Sequence, residues 1–324
     1  MTPCVKLSAV FSIGVDIGGT KLAAGVVDPA GRVVERVERL SPVESARDAE
    51  EAIVDVVGDL GTRHAVGAVG LGVAGWVDTD QTTIRFSPHL AWRDEPLARR
   101  LRERLPLPVS VDNDANAAAW AEYVYGAGRG SHVMVLIAVG TGIGGALVID
   151  GRVFRGAWGL AGEWGHATVV PQGRDCACGN RGCWEQYVSG EALVRETARI
   201  VEIGGPKAAA LTRATAAEGL SGPLVTRLAF GGDRVSAGLI AEVGSWLGRG
   251  LANLAAGLDP DVFVIGGGVC EAGDLLLEPA RAAFAQSLTG RGFRPVADIR
   301  RAELGNDAGI VGAADLARRL AAGA

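Results

Sequence analysis

Residues 15–27, VDIGGTKLAAGVV, and residues 138–149, AVGTGIGGALVI, repeat one pattern: an apolar strand, a glycine-rich turn, and a second apolar strand. The first copy begins in a strand over residues 12–18 and returns over 21–27. Asp28-Pro29-Ala30-Gly31 then supplies turn chemistry, and residues 32–40 alternate apolar and charged side chains as a strand with one solvated face does. The reading is an antiparallel meander. The second copy runs through a strand at 133–139, a turn over GTGIGG and a return at 146–149, with Asp150-Gly151 as a hairpin signal.

Between and after the copies the pattern alternates. A helical period at 43–60 precedes a buried, glycine-rich strand at 65–73. A charged helix follows at 97–105, then a strand at 109–111 and a helix of small residues at 115–125. Helices begin again near residue 189 and include a long one at 235–258. A strand at 261–265 ends in Gly266-Gly267-Gly268, and a helix over about 307–320 closes the chain. A boundary near 113–130 divides this into two α/β domains. The first covers residues 1–117 and is completed by a helix at 307–324; the second covers 118–306.

A chain of 324 residues can bury a large core, and 48% hydrophobic with 21% charged residues is ordinary for a globular protein. The 48 glycines are about twice the usual share and imply tight turns and close backbone approaches to a ligand. A net charge of −5 with no basic block argues against a nucleic-acid surface. No apolar run is long enough to span a membrane, and residues 1–11 lack the pattern of a signal peptide. The expectation is a cytoplasmic protein. Three of five cysteines cluster, which suits metal-bound thiolates in a reducing compartment; Cys4 and Cys270 read as free thiols.

Residues 162–185 read GEWGHATVVPQGRDCACGNRGCWE and hold His166, Cys176, Cys178 and Cys183 within eighteen residues. A Cys₃His set suits one tetrahedral Zn²⁺ of the closed, structural kind, with no open position for chemistry. Glu163 and Glu185 bracket the set without being needed by it. In Asp16-Ile17-Gly18-Gly19-Thr20-Lys21, Gly18 and Gly19 let backbone N–H groups reach phosphate oxygens, Lys21 adds positive charge, and Asp16 can hold Mg²⁺ through water. A tight turn with a surface lysine would look the same, but the second glycine turn shifts the balance. That turn has the spacing of a dinucleotide-binding loop at Gly140, Gly142 and Gly145, yet it leads into a strand rather than a helix. Asp112-Asn113-Asp114-Ala115-Asn116 follows a buried strand and opens a helix. One acid can cap it, which leaves Asp114 to accept a proton and Asn113 to orient a substrate. The third glycine of residues 266–268 can back an adenine or ribose, or mark a turn into a helix. His64, His132, Trp164 and Trp184 read as structural, and His89 stays undecided.

These motifs resemble the ROK group of bacterial sugar kinases, most closely its zinc-containing actinobacterial glucokinases. The resemblance rests on DIGGTK at 16–21, GVAG at 72–75, AWRDEPL at 91–97, NDANAAAWAE at 113–122 and GTGIGGALV at 140–148. It continues through GEWGH at 162–166, CACGNRGCWE at 176–185 and VIGGGV at 264–269. It implies an actin-like (ribonuclease H-like) ATPase fold, with two α/β domains and a ligand cleft between them. It further implies ATP-dependent phosphorylation of the glucose 6-hydroxyl, with Asp114 as general base. Gly75, Asn113, Asp114, Glu163, His166 and Glu185 would bind the sugar. Asp16, Gly18, Gly19, Thr20, Lys21, Thr141, Gly142, Gly267 and Gly268 would bind Mg-ATP. His166, Cys176, Cys178 and Cys183 would hold structural Zn²⁺.

Ala74 and His89 depart from the family's usual proline and asparagine, which bears on sugar preference rather than reaction type. The alternatives are a kinase for N-acetylglucosamine, N-acetylmannosamine or another hexose, and a non-catalytic sugar sensor. The sensors carry an N-terminal helix-turn-helix domain, and about eleven residues precede the first strand here. The resemblance favours ATP over polyphosphate, a dimer or tetramer of identical chains, and no nucleic-acid or membrane partner.

Overall fold

A computed structural model describes residues 10–42, 44–88 and 90–323; Cys4 and His89 lie outside the described residues. The chain divides into two compact units. The first is Met1–Ser131, Ala146–Gly162 and Glu303–Ala324; the second is His132–Gly145 and Glu163–Ala302.

In the first unit, β1 (Phe11–Ile17), β2 (Lys21–Val27) and β3 (Val33–Leu40) form the antiparallel meander. Helix α1 (Ala46–Arg63) starts three residues later than its periodicity suggests, because Ser45 caps it by accepting the Asp48 N–H. Strand β4 (Val66–Val73) then pairs parallel with β1. A small antiparallel sheet of β5 (Trp76–Val77), β6 (Ile84–Phe86) and β7 (Arg93–Glu95) follows, too short to show a period in sequence. Helix α2 (Leu97–Arg104) leads to β8 (Val109–Asn113), which is parallel to β4 and two residues longer than expected. Helix α3 (Asp114–Tyr125) belongs whole to this unit, so a domain cut at 117/118 falls inside it.

Strand β9 (Val133–Val139) begins the second unit, and β10 (Ile143–Ile149) carries the chain back to the first at Ala146. The turn between them is shorter than the sequence suggests, for Gly144 and Gly145 already lie in β10. Strand β11 (Arg152–Val153) pairs with β10 through a turn at Asp150 and Gly151, both with positive φ. The second unit continues through α4 (Gly190–Ile203), α5 (Ala209–Glu218), α6 (Gly222–Phe230) and α7 (Arg234–Leu258). It ends with β12 (Val262–Gly266), α8 (Asp274–Ser287) and β13 (Asp298–Arg301). Helix α9 (Ala308–Ala321) returns to the first unit.

The two large sheets share one topology. Their orders are β3-β2-β1-β4-β8 and β11-β10-β9-β12-β13, each third-second-first-fourth-fifth in chain order. In each, the fourth strand lies parallel to the first and the fifth parallel to the fourth. The sequence repeat is therefore the opening hairpin of a repeated five-stranded unit. Strands β1, β4, β9 and β12 are buried almost throughout, which is why they read as continuous apolar runs.

Helix α9 lies backbone to backbone against the first sheet. A methyl on Gly14 would stand 1.9 Å from the Ile310 carbonyl oxygen, and one on Gly70 would stand 1.8 Å from that of Ala313. On the helix itself, a methyl on Gly312 would stand 1.7 Å from the Ala117 carbonyl oxygen of α3. None of these partners is a movable side-chain tip. Gly70→Ala should therefore destabilise the protein by about 3 kcal/mol through overpacking, read as a lower urea midpoint with an unchanged m-value.

Candidate active site

The first group of interest stands where β8 becomes α3. Asn113 is the N-cap, accepting the Asn116 N–H at 3.1 Å, so the capping role expected of an acid falls to an amide. Its own side-chain amide donates to the Gly75 carbonyl at 3.1 Å, which joins two expected sugar-binding residues. The backbone at Gly75 is tightly enclosed, since a methyl there would stand 2.5 Å from the Phe86 carbonyl oxygen. Asp114 occupies the first turn of α3, with Oδ1 accepting the Ala115 N–H at 2.9 Å. The helix N-terminus favours its negative charge.

Asp112 is buried beneath them. One of its oxygens accepts from the Asn113 N–H and the Asn116 amide, both at 2.9 Å. The other accepts from Gln81 at 3.0 Å and from the Arg155 guanidinium through two nitrogens. Neither Arg155 nor Gln81 stands out in the sequence: Gln81 lies within the polar run at residues 78–83, and Arg155 lies in a loop outside any motif. Its distance in sequence, 43 residues from Asp112, hides the pairing of Arg155.

The first glycine turn joins β1 to β2, with the Gly18 N–H donating to the Lys21 carbonyl at 3.0 Å. The nearest atom a methyl on Gly18 would meet is 3.8 Å away, so packing does not demand a glycine there. Open space over a bare backbone is what a phosphate needs. The Lys21 ammonium pairs with Glu38 at 2.6 Å, and both side chains are nearly half exposed; such a pair exchanges at little cost. Asp16, at the end of β1, faces the first turn of α9, where a methyl on Gly309 would stand 2.7 Å from its Oδ2. Burial pushes the Asp16 carboxyl up to about 6, against the pull of Lys21 and Arg36. Near neutral pH it remains an anion.

In the second unit, the other glycine turn is Gly140-Thr141-Gly142. A methyl on Gly140, or on Gly268 after β12, would meet nothing within 4 Å, whereas Gly267 has φ of 84° and sits against the Val139 backbone. Gly267 thus serves the fold, and Gly268 leaves space.

His166, Cys176, Cys178 and Cys183 converge, with their ligand atoms all within 4.8 Å of one another. The Cys176 sulfur lies 3.6 Å from His166 Nδ1, and the Cys178 and Cys183 sulfurs are 3.6 Å apart. Tetrahedral zinc with Zn–S of about 2.3 Å calls for ligand separations of about 3.5–3.8 Å; these two pairs have them, and a Cys₃His donor set suits that ion. Burial pushes the Cys183 thiol up to about 12, so holding it as a thiolate calls for a cation. The segment folds as a small hairpin, bridged at Thr168–Cys183 and Asp175–Arg181. With Nδ1 turned to the sulfurs, His166 Nε2 points to Glu163 at 3.9 Å. Glu185 lies in a 3₁₀ turn, Trp184–Gln186, and its Oε2 accepts the Ile143 N–H at 2.8 Å. Trp184 is buried against Gly250 and donates to the Trp246 carbonyl.

The ROK family model matches residues 12–320. The chain belongs to the ROK family. It is 44% identical to a glucokinase of Streptomyces coelicolor, over 95% of this chain and 98% of that one. Among solved structures, it resembles a ROK family glucokinase from Streptomyces griseus in complex with glucose and AMPPNP. There the identity is 44% and the TM-score 0.84, with 95% of this chain and 99% of the other covered. A ROK hexokinase from Thermus thermophilus matches with 35% identity and a TM-score of 0.76, covering 95% and 97%. The fold is the actin-like ATPase fold of these ROK kinases, which the repeated third-second-first-fourth-fifth sheet order expresses.

Within this ROK chain, Arg155 is the cation that answers the buried Asp112 carboxylate, with side-chain exposures of 19% and 4%. Removing one partner of such a pair leaves a charge without its counterpart. Arg155→Met is expected to cost about 3 kcal/mol in urea unfolding.

Proposed function

We propose that this chain is an ATP-dependent glucokinase, moving the γ-phosphoryl group of Mg·ATP to the 6-hydroxyl of glucose. The observation that carries the reading is its 44% identity, over 95% of its length, with the ROK glucokinase solved with glucose and AMPPNP. Asp114 positions the hydroxyl and accepts its proton. Its place in the first turn of α3, beside an asparagine already locked as the cap, supports that role. Asn113, Gly75, Glu163, His166 and Glu185 hold the sugar. Gly18, Gly19, Thr20 and Lys21 in one turn, with Thr141 and Gly142 in the other, hold the phosphates. Gly267 and Gly268 border the adenosine. Asp16 is the anion for the hydrated magnesium, which when bound offsets charge on the transferred group.

His166, Cys176, Cys178 and Cys183 hold zinc, whose part is to order the segment carrying the sugar ligands. Glu163 and Glu185 stay outside that set and meet sugar hydroxyls. Thiolate ligands and an ATP cosubstrate suit the cytoplasm, where this step would commit glucose to glycolysis.

The test is ADP release with Mg·ATP and glucose, N-acetylglucosamine, N-acetylmannosamine, mannose or fructose. Strong preference for glucose is expected. Preference for an N-acetyl sugar would keep the mechanism and replace the substrate, while silence with all five would favour a sugar sensor. Asp114→Asn should lower kcat by about 10²–10⁴-fold and leave the glucose Kd nearly unchanged.

Metal analysis of the purified chain should find one zinc. Cys178→Ser should lose that zinc and lower Tm, since a broken site no longer contributes to folding. A metal-free Cys178→Ser protein with full activity and unchanged Tm would overturn the zinc assignment.

A further inference from the structure

The segment that carries the Cys₃His set and the start of α4 after it together grip the second glycine turn at three points, all within the second unit. Glu185 Oε2 accepts the Ile143 N–H at 2.8 Å, just past the turn. A few residues on, the first N–H groups of α4 reach back to the turn's carbonyls: Gly190 to Gly140 at 2.8 Å and Glu191 to Thr141 at 3.3 Å. Those donors have no partner inside their own helix, so the turn helps to cap α4. The contact is also steric. A methyl on Gly142 would stand 2.2 Å from Glu185 Oε2, and one on Gly165 would stand 3.0 Å from the Ile143 carbonyl oxygen.

Glu185 itself has little freedom. Its 3₁₀ turn is preceded at the N-cap by Cys183, one of the four converging ligands, and Trp184 between them is buried and hydrogen-bonded to the Trp246 carbonyl. Its backbone is therefore fixed by its neighbours. A fixed backbone lets one carboxylate hold a defined distance to the turn.

We propose that Glu185 is a positioning residue for the nucleotide: it sets the Gly140–Thr141–Gly142 turn that receives the phosphates, in addition to meeting the sugar. This rests on the glucokinase reading above. One carboxylate then serves two ligands, which couples sugar and nucleotide binding without a longer path. Binding that orders a shared element lowers the cost of the second ligand, and the effect is reciprocal.

The experiment is calorimetric titration of the zinc-loaded full chain with Mg·AMPPNP in the absence of sugar, paired with amide hydrogen exchange over residues 140–149. Glu185→Ala removes the acceptor and should weaken AMPPNP binding by about tenfold, the loss of a charged hydrogen bond. Exchange at Ile143 should rise with it. Glu185→Gln keeps an oxygen for the Ile143 N–H and should bind AMPPNP within about twofold of the unsubstituted chain, with exchange unchanged.

Equal AMPPNP affinity in Glu185→Ala and the unsubstituted chain, with exchange of 140–149 unaltered, overturns the proposal and leaves the kinase reading standing. Failure of the unsubstituted chain to bind AMPPNP overturns the kinase reading and this proposal with it.

Discussion

The first unit depends on backbone reaching backbone. Gly14 and Gly70, on adjacent strands, admit the carbonyls of Ile310 and Ala313, and Gly312 on the same helix admits that of Ala117. Three missing side chains thus let β1 and β4, then α9, then α3 meet backbone to backbone at these points, with Ile310, Val311 and Ala314 packing around them. Close-packed interiors transmit small displacements because they hold no slack. The stack places the start of α3, with Asp114, and the end of β1, with Asp16, against one helix. Glu122, buried within the stack, adds a lock. It accepts the N–H groups of Ala127 at 2.9 Å, Glu303 at 3.1 Å and Leu304 at 2.8 Å, tying the exit of α3 to the approach of α9.

What the sequence shows of this follows from what periodicity can carry. The meander, β9, the helices α3, α7 and α9 and the zinc-type segment are legible because local pattern determines them. The repeated hairpin is legible too, but not the repeat of whole sheets, since β11 has two residues and β13 four, mostly exposed. The β5–β7 sheet is hidden for the same reason. Among site residues, those in dense motifs are visible: glycine turns, the Asn113-Asp114 pair and the cysteines. Arg155 and Gln81 are not, because the need for them arises from Asp112 being buried, and burial is a tertiary fact. The roles of Gly14, Gly70 and Gly312 are hidden likewise. One of 48 glycines in a strand or helix carries no mark of what lies above it.

The Cys₃His segment illustrates how a small irregular stretch gains rigidity. Residues 162–185 form no long helix or strand, and several of its glycines have positive φ, Gly182 among them with the Val170 carbonyl oxygen 1.7 Å from where a methyl would lie. Such a loop loses much conformational entropy on ordering and buries little apolar surface in return. The proposed zinc on the four converging side chains would offset that cost at one point, and Trp184, buried against α7, offsets it at another. Beside those anchors stand Glu163 and Glu185, and His166 belongs to the first of them.

The two glycine turns occupy equivalent places in equivalent sheets, yet they are supported differently. The first carries its own cation, Lys21, held by Glu38 from the neighbouring strand β3, and the Ser41 N–H donates to its Thr20 carbonyl at 3.1 Å. Its support comes from the meander itself. The second has Ile143 where the first has Lys21, each opening the return strand, and β11 is too short to reach it. Its support comes from outside the sheet, from Glu185 and the start of α4. A hairpin braced by its own sheet is as rigid as the sheet. One braced by a separate segment is only as fixed as that segment, and can respond to whatever the segment binds. The first turn is thus braced within its own sheet and the second from outside it, a difference that follows the lengths of the third strands, eight residues in β3 and two in β11.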